Sequence, residues 1–410
     1  MRTIKAMSRH PDRPARLAVN AMFFTNGAIV ANLVPRYPEI KNALELDNTA
    51  YGFAVAAMPV GAIIAGLAAA WFIRRFSSAR VATIGTMIAS VFVLAAGLSP
   101  SVALFAAALF LVGASDSIID VAQNAHGLRV QRRYGKSIIN SFHAFWSIGA
   151  VTGGLMAAAA IALKLPLSIH LLLSALIFTV VAFLAQRHAL PGSDDDDRAV
   201  ADPTEVADGV RKGVKIGVIA VLAALSLISI SGAVVEDLGS SWASLYLQEM
   251  GALPEVAAFG FVSLVGAQFV GRILGDSFTN RWGERAVTRM GGLLIAGGMG
   301  LALAWPSLLG TVLGFAAAGF GCATLVPAAM HAADRVPGLR AGTGLTIVSW
   351  LLRVGFLVSP PIVGAIADNV SLRTGLLIVP VAGALVVLLS GVLPGRSAGQ
   401  QPEPHGVAGA

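Results

Sequence analysis

The chain has 410 residues, of which 12% are charged and 56% hydrophobic, with a net charge of +7. The charged share is about half that of a soluble domain, which excludes an ordinary water-soluble fold. The single cysteine, Cys322, excludes an intramolecular disulfide and a cysteine-based metal cluster.

Met1–Arg16 is a basic tail without an apolar core or small-residue cleavage site, so it reads as a cytoplasmic tail and not a signal peptide. A spanning helix needs about 20 mostly apolar residues. Twelve such stretches follow, at about 17–36, 51–73, 81–99, 101–124, 138–162, 166–186, 216–238, 255–276, 286–305, 307–331, 342–367 and 374–393, taken here as spans one to twelve. Runs of this length predict an all-α membrane protein, because barrels alternate every residue and soluble folds do not sustain them. The one long polar interior stretch, 187–215, divides six spans from six. The expected organisation is therefore a tail (1–16), a six-helix bundle (17–186), a cytoplasmic linker (187–215), a second bundle (216–393) and a C-terminal tail (394–410). Asp194–Asp197 in the linker reads as a solvated, disordered run.

Lys and Arg set the orientation. With the N-terminus inside, 24 lie in cytoplasmic segments and 4 outside. This count assigns Arg272 to the loop near 281 and leaves only Arg353 within a span. Both termini are expected in the cytoplasm, and the net charge reads as topology, not nucleic-acid binding.

A charge near the bilayer centre costs at least about 2.5 kcal/mol on insertion scales, so ionisable groups within spans are functional candidates. Span one carries the amides Asn26 and Asn32. Span four carries Asp116 and Asp120, four residues apart on one face, with Gln123 and Asn124 extending the stripe. At 1.5 Å per residue they lie roughly 13 and 7 Å from the inner edge, and His143 of span five roughly 8 Å from it. Two carboxylates this close do not readily ionise together in a low dielectric, which suits a proton carrier. The blander readings are a helix cap or an Arg129 partner for Asp120, and a structural histidine for His143. Span five also holds Gly149-xxx-Gly153, and span eight Gly271-xxx-Gly275, both suited to close helix approach.

Span seven ends in Glu236 and Asp237. Adjacent residues point about 100° apart, so the two acids serve different purposes, as an outer gate, a ligand site or a cap for a helix break at Gly239. Trp242 and Tyr246 beyond them read as an interfacial belt, with cavity aromatics as the alternative. Gln268 lies mid-span in span eight. Arg353 in span eleven lies roughly 17 Å deep and shares a face with Trp350. It needs a carboxylate, backbone carbonyls or an anionic substrate. Ser359-Pro-Pro should kink the helix beyond it.

The halves match at a shift of about 205. "GAIVANL" (27–33) overlies "GAVVEDL" (232–238), Gly61-Ala62 overlies Gly266-Ala267, and His126 overlies His331. Asn32 then overlies Asp237, which sets the two facing each other near the outer mouth of a cavity. Parallel repeats of this kind build one class of secondary transporters.

With "IIDVAQNAHG" (118–127), "SFHAFWSIG" (141–149), "EDLGSSWASLYL" (236–247), "GRILGDSFTNRWGERAV" (271–287) and "LVPAAMHAADRVPGLRAGTGLT" (325–346), the chain resembles the Major Facilitator Superfamily over about residues 15–395. It resembles in particular a bacterial inner-membrane subgroup mostly without assigned substrates. The resemblance implies central helices around a polar cavity and loop signatures after spans two and eight. Here those signatures are degraded. Arg74 stands at the first loop's acidic position beside Arg75 and Arg80. In the second loop Asp276 and Asn280 replace the expected Gly and Asp, with Arg281, Gly283 and Arg285 kept. Any latch these loops form must differ from the family's. Gly154 replaces the proline of the drug-antiporter signature in span five.

No phosphate-binding loop is present, and the histidines show no metal-ligand spacing, so no cofactor, metal or enzymatic activity is expected. The function expected is alternating-access transport of a small polar solute across the cytoplasmic membrane by a monomer. Proton symport of a sugar or organic acid is the first form, with protons on Asp116, Asp120 and His143. The solute would meet Asn26, Asn32, Asn124, Glu236, Asp237, Gln268, Trp350 and Arg353. Proton-coupled efflux of a metabolite or drug is the alternative, and a membrane sensor or embedded enzyme the remote one.

Overall fold

The computed structural model describes residues 12–135, 138–192, 216–339 and 342–395. Most of the basic tail, the linker with its Asp194–Asp197 run, and the C-terminal tail beyond Gly395 lie outside the described residues. Among the described residues, twelve helical segments are long and apolar enough to cross a membrane. They are Arg13–Ala43, Asn48–Gly66, Ser78–Gly97, Val102–Tyr134, Ser141–Ala162 and Leu167–His188, then Gly217–Glu249, Pro254–Trp282, Glu284–Ala304, Leu308–Asp334, Thr343–Asn369 and Leu372–Val392. Because the number of spans is even, the described chain starts and finishes at one end of the bundle, called here the terminal end. The opposite end is the far end.

The order of spans follows the hydropathy, but three helices outrun their apolar stretches. Span one continues through a 3-10 turn, Val34–Arg36, into Tyr37–Ala43. Span four runs to Tyr134 and ends on left-handed Gly135. Span seven runs unbroken to Glu249. Helical hydrogen bonding needs no apolar side chains, so a helix leaving the bilayer continues until a breaker stops it. The helix break expected at Gly239 is therefore absent, and Glu236 and Asp237 lie well inside a helix. Span ten is interrupted between Cys322 and Leu325, whereas span eleven stays helical through Pro360 and Pro361. At the far end, Asp47, Ser101, Ser307 and Ser371 cap the spans that follow them by accepting backbone N–H groups.

Each half is a six-helix bundle. In the first, span one packs on spans five and six, and span four on spans two and three. In the second, span nine packs on spans ten and twelve, span eight on span ten, and span seven on spans ten and twelve. The small-residue pairs act as expected. Gly149 and Gly153 meet the carbonyls of Phe24 and Ala28, and Gly271 meets span ten at Phe320 and Ala323. The halves join along two seams, span two on span eleven and span five on span eight.

Candidate functional site

The contacts that span two makes across to the second half gather at the far end. Asp368, near the end of span eleven, accepts the backbone N–H groups of Asn48 and Thr49 at 3.0 and 2.7 Å. Those groups open span two, in the other half, and would otherwise be orphaned at a helix start. One turn along each helix, Gly52 lies against the Pro360 carbonyl and Gly364 against that of Asn48, so backbone meets backbone. The Tyr51 hydroxyl donates to the Ser241 carbonyl at 2.7 Å, and its ring meets Trp242 edge-on at 5.0 Å. Tyr37 closes the aromatic stack at 6.0 Å from Tyr51.

Trp242 and Tyr246 are both buried, which corrects the interfacial-belt reading. Span seven continues past its apolar run, so these rings fall inside the protein. The carboxylate of Asp237 sits behind the stack, accepting from the Ser359 hydroxyl at 2.6 Å and within electrostatic reach of Tyr37 and Tyr51.

Glu236, one residue earlier, faces elsewhere, as the 100° offset requires. It accepts from Gln268 Nε2 at 2.8 Å and lies 3.6 Å from the Arg272 guanidinium. Arg272 is the residue the sequence reading misplaced. It lies ten residues before the end of span eight, roughly 15 Å in from the terminal end, and not in the loop. Its spacing of four from Gln268 on an apolar helix was the signal that places it. Its guanidinium also lies over the ring of Trp146 in span five, 5.7 Å from the centroid, across the second seam.

From Trp146 the polar chain continues into the first half. The indole N–H donates to Asn26 Oδ1 at 2.7 Å, and Asn26 Nδ2 donates to Asp116 at 2.9 Å. A continuous path of polar contacts thus joins the Asp116 carboxylate in one half to Glu236 and Gln268 in the other. Asp120 accepts from Asn124 at 3.0 Å and has His143 and Arg353 within electrostatic reach. Asp120, His143, Arg353 and Trp350 are all exposed, and Asp116 is half-buried. The polar groups therefore lie between the halves, which pack shut at the far end and leave these side chains accessible towards the terminal end.

Three expected groupings differ. Asn32 does not face Asp237. It is fully buried in its own half, where its Oδ1 accepts from His170 Nε2 at 2.9 Å while its amide N–H donates to the Ala28 carbonyl. Span one turns this side chain towards span six, whereas Asp237 meets Ser359 of span eleven, so the two matched positions have different surroundings. Arg129, offered as an Asp120 partner, donates to the carbonyls of Pro191 and Gly192. The loop residues also scatter. Arg75 stacks on Phe76, Arg281 on Trp282, Arg285 bonds the Leu393 carbonyl at 2.9 Å, and Arg80 and Asp276 are exposed. The short contact at this end is instead Glu284 with His331 Nδ1 at 2.6 Å, joining spans nine and ten. Gly283 turns the chain before span nine with φ +85°. Its counterpart before span three is Ser77, at φ +74°.

Two six-helix bundles meeting at a polar passage that is sealed at one end define a paired-bundle membrane transport protein. Comparison with known proteins makes the assignment specific. The sequence pattern of the Major Facilitator Superfamily matches residues 19–278, and the chain belongs to that family. It is 29% identical over 391 residues to the membrane protein MosC of Rhizobium meliloti, covering 94% of this chain and 92% of that protein. It is 27% identical to the uncharacterized transporter y4wD of Sinorhizobium fredii, covering 92% and 97%. Its fold is similar to the crystal structure of a D-xylose–proton symporter, with TM-score 0.71, 15% identity and coverage of 93% and 98%.

Proposed function

We propose that this chain is a secondary active transporter that carries a small polar solute across the cytoplasmic membrane by alternating access, driven by protons. The observation that carries the reading is the path from Asp116 through Asn26 and Trp146 to Arg272, Glu236 and Gln268, which bridges the two halves where they must part. The moving bodies are the bundles of about 17–186 and 216–393, tied by the linker 187–215, with both termini in the cytoplasm. The terminal end is then the inner face, and the passage opens inward in this structure.

Asp116 and Asp120 carry protons, and His143, exposed beside Asp120, modulates them. Glu236, Gln268, Arg272 and Arg353 contact the solute. Asn26 and Trp146 hold Asp116 and Arg272 in register. Asp237 belongs to the outer gate. The ion pair of Glu236 and Arg272 is loose at 3.6 Å, so a hydroxyl or carboxylate of the solute can enter between them.

Purified protein in liposomes, with a pH gradient imposed across a panel of sugars and organic acids, tests the reading. Gradient-driven accumulation of one class, lost in Asp116→Asn and Asp120→Asn, supports it. Flux that both variants retain removes the coupling assignment, and turnover without flux indicates an enzyme. Proton-coupled efflux of an organic cation is the second reading. It is favoured by one observation, a guanidinium already resting on the Trp146 face beside carboxylates. Export against the proton gradient with Arg353 dispensable would establish it.

A further inference from the structure

Away from the central passage, the outer surface at the terminal end of spans eight and nine holds a cleft of about 290 Å³. Trp282, Arg285, Ala286, Arg289, Met290, Leu293 and Gly395 line it. Arg285, Arg289 and Leu293 are spaced by four along span nine and form one stripe, with Ala286 and Met290 beside it. From Arg285 to Leu293 the stripe descends roughly 12 Å, about two helical turns into the bilayer.

The order of chemistry along the stripe is specific. Two cations stand at the membrane edge, an exposed indole closes one side, and exposed Met290 and Leu293 follow at depth. Each guanidinium is held by its Nε. Arg285 donates to the Leu393 carbonyl at 2.9 Å and Arg289 to the Ser390 hydroxyl at 3.1 Å. These bonds fix both guanidinium groups at the rim with little side-chain entropy left to lose on binding. Arg285, in the first turn of span nine, also opposes the helix macrodipole, so an anionic partner improves its electrostatics.

We propose that this cleft binds an anionic phospholipid. The phosphodiester is held by Arg285 and Arg289, and an acyl chain lies along Met290 and Leu293 beneath the Trp282 ring. Basic pockets at the inner face of membrane proteins recognise such headgroups, and indoles favour that depth. The lipid also braces the end of span twelve, because both arginines bind it. This site is independent of the transport reading except for the orientation, which places the terminal end inside. It uses none of the passage residues.

The test uses full-length protein in phosphatidylcholine nanodiscs with a small fraction of brominated phosphatidylglycerol, reading quenching of tryptophan emission. The expected result is a saturable quenching component at low mole fraction that brominated phosphatidylcholine does not give. Trp282→Phe should remove that component, and Arg285→Gln with Arg289→Gln should weaken it at least about tenfold. Met290→Glu keeps both arginines and their bonds to span twelve, and should weaken it similarly if the double variant does not fold. Arg74→Gln with Arg75→Gln, a basic pair outside the cleft, should leave it unchanged.

Equal quenching by the two lipids, or quenching that survives both Arg285→Gln with Arg289→Gln and Met290→Glu, overturns the proposal. Inorganic phosphate that competes as well as the lipid reduces the site to an anion site and also overturns it. A saturable component seen only in a chain ending at Gly395 makes residues 396–410 the occupant, and the proposal fails.

Discussion

The two seams close the same gap with different chemistry. Where span two meets span eleven, backbone lies on backbone through Gly52 and Gly364, and a carboxylate from one half completes a helix start in the other. Where span five meets span eight, Gly154 packs on Phe261 and Val262, and the polar contact is a cation over an aromatic face. The first seam depends on shape and on hydrogen bonds that water can replace. The second depends on apolar contact that water cannot replace, with a charge-bearing group, Arg272, that the proposed function sets beside the solute. The difference implies a division of labour, in which the first seam sets whether the far end is shut and the second senses what occupies the passage.

The largest test of that division lies on the passage itself. Asp116→Asn should abolish solute accumulation driven by a pH gradient in liposomes while solute-for-solute exchange persists. Loss of both would assign Asp116 to structure and not to coupling. Next, Gly364→Leu forces a side chain into the Asn48 carbonyl and should disfavour far-end closure by about 1–3 kcal/mol, roughly fivefold to a hundredfold in population. Spin labels at Glu45 and Val370 would read this as a longer distance. An unchanged distance would break the claim that backbone contact closes this seam.

Trp146→Phe keeps a ring under Arg272 but removes the N–H that holds Asn26. It should raise KM about fivefold with little change in the spin-label distance. An effect on the distance larger than that on KM would reverse the roles of the two seams. The smallest effect belongs to Asp368→Asn. Asp368 is exposed, so solvent screens its bonds, and the loss of charge should shift the closed population only about threefold by the same labels.

Much of this was legible in the sequence because bilayer physics is strict. Twelve apolar runs and one polar linker gave the spans, and small residues at spacings of four marked real helix contacts. What hydropathy could not supply was where helices stop. Span seven was cut at 238 because polar residues follow, yet the helix continues, and that error displaced Trp242 from the core to the membrane edge. Arg272 escaped because a charge near a basic loop was counted with the loop, although it stood inside an apolar run one turn from Gln268. The 205-residue repeat paired Asn32 with Asp237, and the two do not meet. Side-chain direction is decided by neighbouring helices, and span six claims Asn32 through His170. Tyr37 and Tyr51 carried no signal, since a tyrosine near a span end reads equally well as a membrane anchor.

The Asp368 contact has a consequence for the protein as a machine with a clock. The first two amides of span two are capped by a residue from the opposite bundle, so the end of that helix is complete only while the far end is shut. Each opening returns those donors to water, with Asp47 left to hold the Ala50 amide alone. Hydrogen exchange at Asn48 and Thr49 should therefore count openings, running fast when the gate cycles and slow when it is held closed.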